Sequence, residues 1–469
     1  MSDTYDVLVI GGGTGGYPAA IRATQLGMRV ACIERRGTLG GTCLNVGCIP
    51  SKALLQSTEL YAEVKDGLEE HGIGIAGVAL NLARLIERKN EVVRDLTKGV
   101  EYLFKKNKVD WVKGSARFLD AKRLHVDLND GSTRELSATQ AIIIATGSDV
   151  APLKGVEIDE QRIISSTGAL SLPRVPEHLV VIGGGYIGLE LGSVWHRLGA
   201  KVTVVEYLDR IVPSMDQEIA RHLHKVLAKQ GLVFRLGTKV TRVDKSADGA
   251  TLTVEPAQGG TAETIDADVV LVSIGRRPYT DGLGLDIAGV ALDDKGRVVV
   301  NDRFCSNVEG IYAVGDVIAG PMLAHKSTED GVACAEIIAG HHAQVDYNTI
   351  PAVIYTWPEV ASVGKTEEEL KGAGVDYKSG TFPFTANSRA RCNGDMTGLV
   401  KILADRRTDT VLGVHIIGPD AGTMIPEAVL AMVFRAAAED IALTSHAHPT
   451  LPEAIREAAL VLQGRPMHI

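Results

Sequence analysis

Tyr5-Asp6-Val7-Leu8-Val9-Ile10 runs directly into Gly11-Gly12-Gly13-Thr14-Gly15-Gly16, and the fold follows from that junction. The first half is a short apolar run rich in β-branched residues, the mark of a strand buried in a parallel sheet. Gly11, Gly13 and Gly16 fit the spacing G-x-G-x-x-G, and Ala19-Ala20-Ile21-Arg22-Ala23 beyond them has helical character. In this context the first glycine permits the tight turn and the second admits a close pyrophosphate. The third packs the helix against the strand. Pro18 falls in the first helical turn, where its missing N–H costs little. A second strand, Arg29 to Glu34, ends on an acid eighteen residues after Gly16, placed to bond ribose hydroxyls.

The pattern then repeats. Leu179-Val180-Val181-Ile182 precedes Gly183, Gly185 and Gly188 in the same spacing, with Tyr186 and Ile187 inside the turn. A helix follows through Leu198, then the strand Lys201 to Glu206, whose acid again stands eighteen residues past the third glycine. A glycine pattern alone is weak, but strand, glycines, helix, strand and acid together are specific. Two such units imply two dinucleotides, a flavin and a nicotinamide. A carboxylate at Glu206 accepts from ribose hydroxyls and repels a 2′-phosphate, so NAD is expected rather than NADP.

A chain of 469 residues accommodates two to four domains. Aromatic residues make up only 4% while glycines number 51, which favours an α/β protein with many tight turns. The net charge of −9 gives no case for nucleic-acid binding. No apolar run is long enough to span a bilayer, so no membrane association is expected. The N-terminus passes straight into a strand, and a cytoplasmic setting is the expectation.

Between the two units, Leu82 to Phe104 has apolar residues at helical spacing and predicts an amphipathic helix. Its basic end, Lys105-Lys106-Asn107-Lys108, suits a solvated C-terminus. Short alternating strands are expected from Val109 to Leu136, then a separate buried strand in Ala141-Ile142-Ile143-Ile144-Ala145-Thr146-Gly147. Beyond the second unit, Val269 to Pro278 reads as strand then turn through Gly275. Gly310 to Asp316 reads as a strand ending in Gly-Asp, whose acid can reach ribose or ribityl hydroxyls. Met322-Leu323-Ala324-His325-Lys326 opens a further helix. His325 is either catalytic or a hydrogen-bonding group at a helix start. From Tyr347 the chain turns to strands and amphipathic helices with no further glycine fingerprint, a third domain.

Chemistry beyond nucleotide binding centres on Gly40-Gly41-Thr42-Cys43-Leu44-Asn45-Val46-Gly47-Cys48-Ile49-Pro50-Ser51-Lys52. Two cysteines five positions apart form only a small loop. Cys48 lies just ahead of Pro50, at a helix start where amides and the macrodipole favour a thiolate. Buried small side chains, a structural disulfide or half a zinc site are the alternatives. The last needs a second ligand pair, which the sequence lacks, so no metal is expected. Near the C-terminus, His446-Ala447-His448-Pro449-Thr450-Leu451-Pro452-Glu453 holds two histidines and an acid. Glu453 can fix one ring nitrogen of His448 and raise the basicity of the other, but a surface or capping arrangement fits the same residues.

These stretches, with Ala145-Thr146-Gly147, Gly315-Asp316 and Met322 to Lys326, resemble the class I flavoprotein disulfide reductases over nearly the whole chain and in that family's order. The resemblance implies an α/β fold of two Rossmann-like dinucleotide-binding domains plus an α+β C-terminal dimerisation domain. Its expected segments are 1–149 and 277–346 for FAD, 150–276 for NAD and 347–469 for dimerisation. It implies that Cys48 is the thiol nearer the flavin and Cys43 the interchange thiol. His448 is then the base, held by Glu453 and reaching the site from a second subunit, and Lys52 beside the flavin pairs with Glu190. Thr42, Lys52, Thr146, Gly147, Asp316 and Met322 to His325 join Gly11, Gly13, Gly16 and Glu34 as expected FAD contacts. Gly183, Gly185, Tyr186, Ile187, Gly188, Glu206 and Gly275 are the expected NAD contacts.

The implied reaction is oxidation of protein-bound dihydrolipoamide with reduction of NAD. The implied partners are a second copy of the chain and a lipoyl-bearing E2 transacylase of a 2-oxoacid dehydrogenase complex, or the lipoyl protein of glycine cleavage. A glutathione-type reductase would use NADPH, against Glu206. A mercuric reductase would usually end in a cysteine pair, unlike Arg465-Pro466-Met467-His468-Ile469. A non-catalytic flavoprotein has no need of Cys43, Cys48, His448 and Glu453. Two departures from the family pattern are Pro452, where serine is common, and Ser327-Thr328, in place of a small residue and an acid.

Overall fold

The computed structural model describes residues 3–66 and 68–469. Two compact units emerge, each assembled from separated stretches of chain: one from Met1–Ala53, Arg84–Ala151 and Gly275–Tyr347, the other from Leu54–Ala83, Pro152–Ile274 and Asn348–Ile469.

In the first unit the strands Asp3–Ile10 and Val30–Glu34 pair in parallel, with the helix Gly16–Gln25 crossing between them. Asp110–Phe118 extends the sheet beyond Val30–Glu34, and Thr133–Ile144 lies on the other side of Asp3–Ile10. Ile311–Ala313 closes that edge in parallel with Ile142 to Ile144. Val7 to Ile10, Val30 to Ile33 and Ile142 to Ile144 are buried, as expected for strands covered on both faces. The predicted amphipathic helix runs Leu82–Asn107 and buries Val100 and Phe104.

The sequence separated a strand near Leu136 from one starting at Ala141; the structure makes them one strand, Thr133–Ile144. Its first half pairs antiparallel with Arg123–Leu128, which in turn pairs with the second half of Asp110–Phe118. Its second half enters the parallel sheet. An irregularity in the pairing with Asp3–Ile10 leaves Tyr5 opposite Ala138 and Val7 opposite Ala141. Exposed Thr139 and Gln140 occupy that step, and polar residues in mid-strand are what the sequence displayed as a break.

The second unit repeats the plan. His178–Ile182, Lys201–Val205 and Val269–Val272 form a parallel sheet edged by Val233–Arg235 and Ile163–Ile164. The helix Tyr186–Arg197 follows the second glycine turn, and the strands Thr238–Lys245, Ala250–Pro256 and Glu263–Ala267 make the antiparallel meander. The same unit holds a five-stranded antiparallel sheet, ordered Ala352–Ile354, Glu359–Gly364, Val411–Gly418, Leu399–Asp405 and Tyr377–Pro383. The helices Ala421–Val433 and Glu453–Leu462 cover it, packing Met424, Ile425, Ile455 and Ala458 against Val400, Ile402 and Ile416. No helix among the described residues is long and apolar enough to cross a membrane.

Ile143 lies between Val9 and Tyr312 in register and is fully buried. Ile143→Val is expected to cost about 1 kcal/mol and Ile143→Ala about 3 kcal/mol, the growth reflecting a cavity that the rigid sheet does not fill. Chemical denaturation of the three proteins measures the difference.

Candidate active site

The two glycine turns are built alike. The Gly12 N–H donates to Glu34 Oε2 at 2.8 Å, and the Arg36 N–H to Glu34 Oε1 at 2.8 Å. In the second copy the Gly184 N–H donates to Glu206 Oε2 at 2.6 Å and the Leu208 N–H to Oε1 at 2.8 Å. Each acid therefore locks its own turn, a role that the sequence reading, which assigned it only to ribose, did not foresee. The remaining lone pairs stay available to a hydroxyl.

Both turns fit a dinucleotide. A Cβ on Gly16 would fall 1.8 Å from the Gly11 carbonyl oxygen, and one on Gly188 2.4 Å from that of Gly183; only glycine lets these helices lie so close. A Cβ on Gly185 would meet nothing within 4 Å, and one on Gly13 would meet only Gly41 Cα at 3.6 Å. The middle glycines thus border open space, where a pyrophosphate has room. The helices beginning at Gly16 and Tyr186 have no side-chain cap and no acid in their first turns, which suits an anion there. The Tyr186 hydroxyl bonds to Ser214 Oγ at 2.5 Å, and Ile187 follows it in the same helix.

The thiol stretch rests directly on the first turn. The Gly40 N–H donates to the Gly12 carbonyl at 2.8 Å, and a Cβ on Gly41 would fall 2.5 Å from Gly13 Cα. Cys43 sits in a short helix, Gly41–Val46, and Cys48 begins the next, Cys48–Asp66. Placing Cys43 in a helix of its own is a correction to the sequence reading. Asn45 makes that helix possible. Its Nδ2 donates to the Gly41 and Leu39 carbonyls at 2.8 and 3.1 Å, and its Oδ1 accepts from Thr38 Oγ1 at 2.6 Å.

The Cys43 thiol hydrogen-bonds to Cys48. That bond, reinforced by burial and working against nearby Lys52, holds the Cys43 proton far more tightly than an ordinary thiol does. Cys48 is the more exposed of the two. The two sulfurs therefore form one hydrogen-bonded pair in which Cys43 is the poorer thiolate former.

Other FAD-assigned positions of this unit gather at the ends of the same sheet. Thr146 Oγ1 donates to the Tyr279 carbonyl at 2.6 Å, and the Tyr279 N–H to the Gly147 carbonyl at 2.9 Å. Asp316 Oδ2 accepts from Ser148 Oγ at 2.5 Å, and Ser148 Oγ accepts from Arg276 Nε at 2.7 Å. Burial depresses the Arg276 pKa, with Asp316 and Asp149 opposing it. The sequence reading placed Arg276 in the turn after Gly275; the structure makes Arg276–Pro278 a short strand paired antiparallel with Ser148–Val150. Met322 and Leu323 precede the helix Ala324–Ile338, and His325 lies exposed in its first turn. Ser327, one of the departures noted above, donates to Asp316 Oδ1 at 3.4 Å and to the Leu323 carbonyl at 3.0 Å.

In the second unit His448 Nδ1 lies 3.0 Å from Glu453 Oε1, and the Thr450 N–H donates to Oε2 at 2.8 Å. Burial opposes ionisation of Glu453, but the Thr450 amide and His448 outweigh it and lower its pKa. An ionised Glu453 accepts a hydrogen bond from Nδ1–H, which leaves Nε2 as the nitrogen free to accept a proton. The His448 side chain is 69% exposed. His446 is engaged elsewhere, 2.7 Å from Glu427 Oε1, which raises its pKa. Pro452 precedes the helix that Glu453 begins, and the His448–Glu453 pair forms with it in place. Glu190 is buried and accepts from the Tyr355 N–H at 3.0 Å.

Comparison with known proteins agrees with this architecture. Residues 5–331 match the pyridine nucleotide-disulphide oxidoreductase model, and residues 350–459 match the dimerisation domain of the same family. The chain belongs to that family. It is 59% identical over 467 residues to dihydrolipoyl dehydrogenase 3 of Pseudomonas putida, covering 99% of this chain and 100% of that one. It is 58% identical over 468 residues to the mitochondrial dihydrolipoyl dehydrogenase 1 of Arabidopsis thaliana, covering 100% of this chain and 92% of that one. Among solved structures it resembles LpdA from Mycobacterium tuberculosis, with a TM-score of 0.90 at 27% identity over 97% of this chain and 99% of the other.

Removing the partner thiol in a Cys48→Ala variant is expected to release Cys43 toward ordinary thiol behaviour. In the reduced parent the Cys43 thiol resists deprotonation more than an ordinary thiol does; in the variant its alkylation by iodoacetamide at about pH 9 is expected to rise about tenfold or more. Mass spectrometry of the Cys43 peptide measures the rate.

Proposed function

We propose that the chain oxidises protein-bound dihydrolipoamide to lipoamide through a Cys43–Cys48 redox disulfide and passes the electrons through FAD to NAD. The carrying observation is the hydrogen-bonded thiol pair, on a stretch that the Gly40 N–H ties to the Gly12 carbonyl of the first dinucleotide turn. High identity over the full length to proteins named dihydrolipoyl dehydrogenase supports the substrate.

In the oxidised enzyme a substrate thiolate attacks Cys43 Sγ, forming a mixed disulfide and expelling Cys48 as a thiolate. The second substrate sulfur then closes the lipoamide ring and releases Cys43. Two protons leave the substrate. One is accepted by His448 Nε2, whose basicity Glu453 sustains through Nδ1, and the Cys43 thiol retains the other. Bound FAD and NAD supply the acceptor chemistry, receiving the two electrons given up as the Cys43–Cys48 disulfide re-forms.

The FAD assignments above, Lys52 beside the flavin and paired with Glu190, and the NAD assignments from Gly183 to Gly275 belong to this reading. So do the domain limits 1–149, 150–276, 277–346 and 347–469. The working molecule is a homodimer, supported by the match to the dimerisation-domain model, and His448 serves the thiols of a second copy. Its partner is a lipoyl-bearing E2 transacylase or the lipoyl protein of glycine cleavage. We place it in the cytoplasm, although relatives include proteins named mitochondrial.

Dihydrolipoamide is expected to drive rapid reduction of NAD and not of NADP. Cys43→Ser should abolish turnover, and His448→Gln should lower kcat by about 10²–10⁴. Failure with dihydrolipoamide, alongside NADPH-driven reduction of another disulfide, would overturn the reading.

A further inference from the structure

The helix Ala324–Ile338 buries an ion pair that the catalytic scheme does not use. Lys326 Nζ lies 2.8 Å from Asp330 Oδ2 one turn along, and both side chains are 0% exposed. Both groups reach the backbone of one residue, Gly315. Asp330 Oδ2 accepts from the Gly315 N–H at 3.1 Å, and Lys326 Nζ donates to the Gly315 carbonyl at 3.1 Å. Asp330 Oδ1 accepts from the Tyr347 hydroxyl at 2.9 Å, and the ammonium stands 4.9 Å from the centre of the Tyr347 ring. Gly315 adopts a φ of 78°, which its lack of a side chain permits.

A buried ion pair is a poor source of stability, since well-packed apolar side chains of similar volume often do as well or better. Packing alone therefore does not account for Lys326 and Asp330. What they do uniquely is fix both polar atoms of Gly315, and the next residue is Asp316. Its carboxylate is then met by Ser148 and Ser327.

We propose that Lys326, Asp330 and Tyr347 are positioning residues for the flavin: they set the backbone from which Asp316 reaches a hydroxyl of the FAD ribityl chain. The proposal rests on Asp316 being an FAD-holding group. It predicts that loss of the Tyr347 hydroxyl weakens FAD retention only through Asp316.

The test compares holoenzymes of the parent, Tyr347→Phe, Asp316→Asn and their combination, with Lys326→Met/Asp330→Leu as a charge-free version of the pair. FAD release after dilution is followed by free-flavin fluorescence. Visible circular dichroism reports the bound flavin's surroundings, and thermal unfolding serves as the control for stability. Tyr347→Phe is expected to speed release about tenfold, the worth of a hydrogen bond to a charged group, and to change the flavin dichroism with little change in unfolding temperature. In the Asp316→Asn background the same change should add nothing. Lys326→Met/Asp330→Leu should release FAD faster still while unfolding near the parent temperature. Release within twofold of the parent in both Tyr347→Phe and the charge-free variant overturns the proposal, as does a full tenfold effect of Tyr347→Phe on top of Asp316→Asn. If Asp316→Asn itself retains FAD as the parent does, the reading of Asp316 fails and the proposal falls with it.

Discussion

Gly12 is held from both sides. Its N–H is taken by the Glu34 carboxylate and its carbonyl by the Gly40 N–H. The first bond adds a side-chain tie to the one that the Gly11 N–H already makes with the Ile33 carbonyl at 2.8 Å, at the end of the same strand. The second bond joins the stretch carrying Cys43 and Cys48 to the turn, where Gly41 also packs against Gly13. Backbone hydrogen bonds are modest in net energy but costly to leave unmade when buried. One residue thus ties the first glycine turn to both the strand ending on Glu34 and the thiol stretch.

The second copy shows the same device put to another use. Gly184 donates to Glu206, and its carbonyl accepts from the Val212 N–H at 2.9 Å, at the same offset along the chain as Gly40 from Gly12. The segment brought beneath the turn there contains Ile211 and Val212, both buried, and ends near Ser214, the partner of Tyr186. The scaffold delivers a loop to the same place twice; only in the first copy does that loop carry cysteine.

The parallel strands and both glycine turns were legible because parallel strands read as continuous apolar runs and the turns demand glycine at fixed spacing. The thiol pair and the His448–Glu453 pair were legible from residue type and closeness in sequence. What escaped was of two kinds. Thr133–Ile144 was divided at Thr139 and Gln140, because a pairing irregularity interrupts apolar periodicity without ending the strand. The polar supports of the site were missed because tertiary structure joins them: Ser148 to Asp316 across 168 positions, and Tyr347 to Asp330 from beyond the helix. Lys326 and Asp330 did stand four apart, but that spacing more often marks a solvated helical face.

The irregularity at Thr139 and Gln140 also governs how the strand carries a change in length. Side chains alternate faces with a period of two, so adding or removing one residue reverses the facing of everything beyond it. Before the step Leu136 and Ala138 alternate with more exposed neighbours; after it Ala141 to Ile144 are all buried. The step is thus a phase converter, joining a stretch that must distinguish inside from outside to one that has no outside. Insertions between Asp110–Phe118, Arg123–Leu128 and Thr133–Ile144 would be absorbed by the turns that join them, whereas a single residue gained or lost at the step would exchange Ile142 with Ile143 between the two covered faces and reach Ala145-Thr146-Gly147 beyond them.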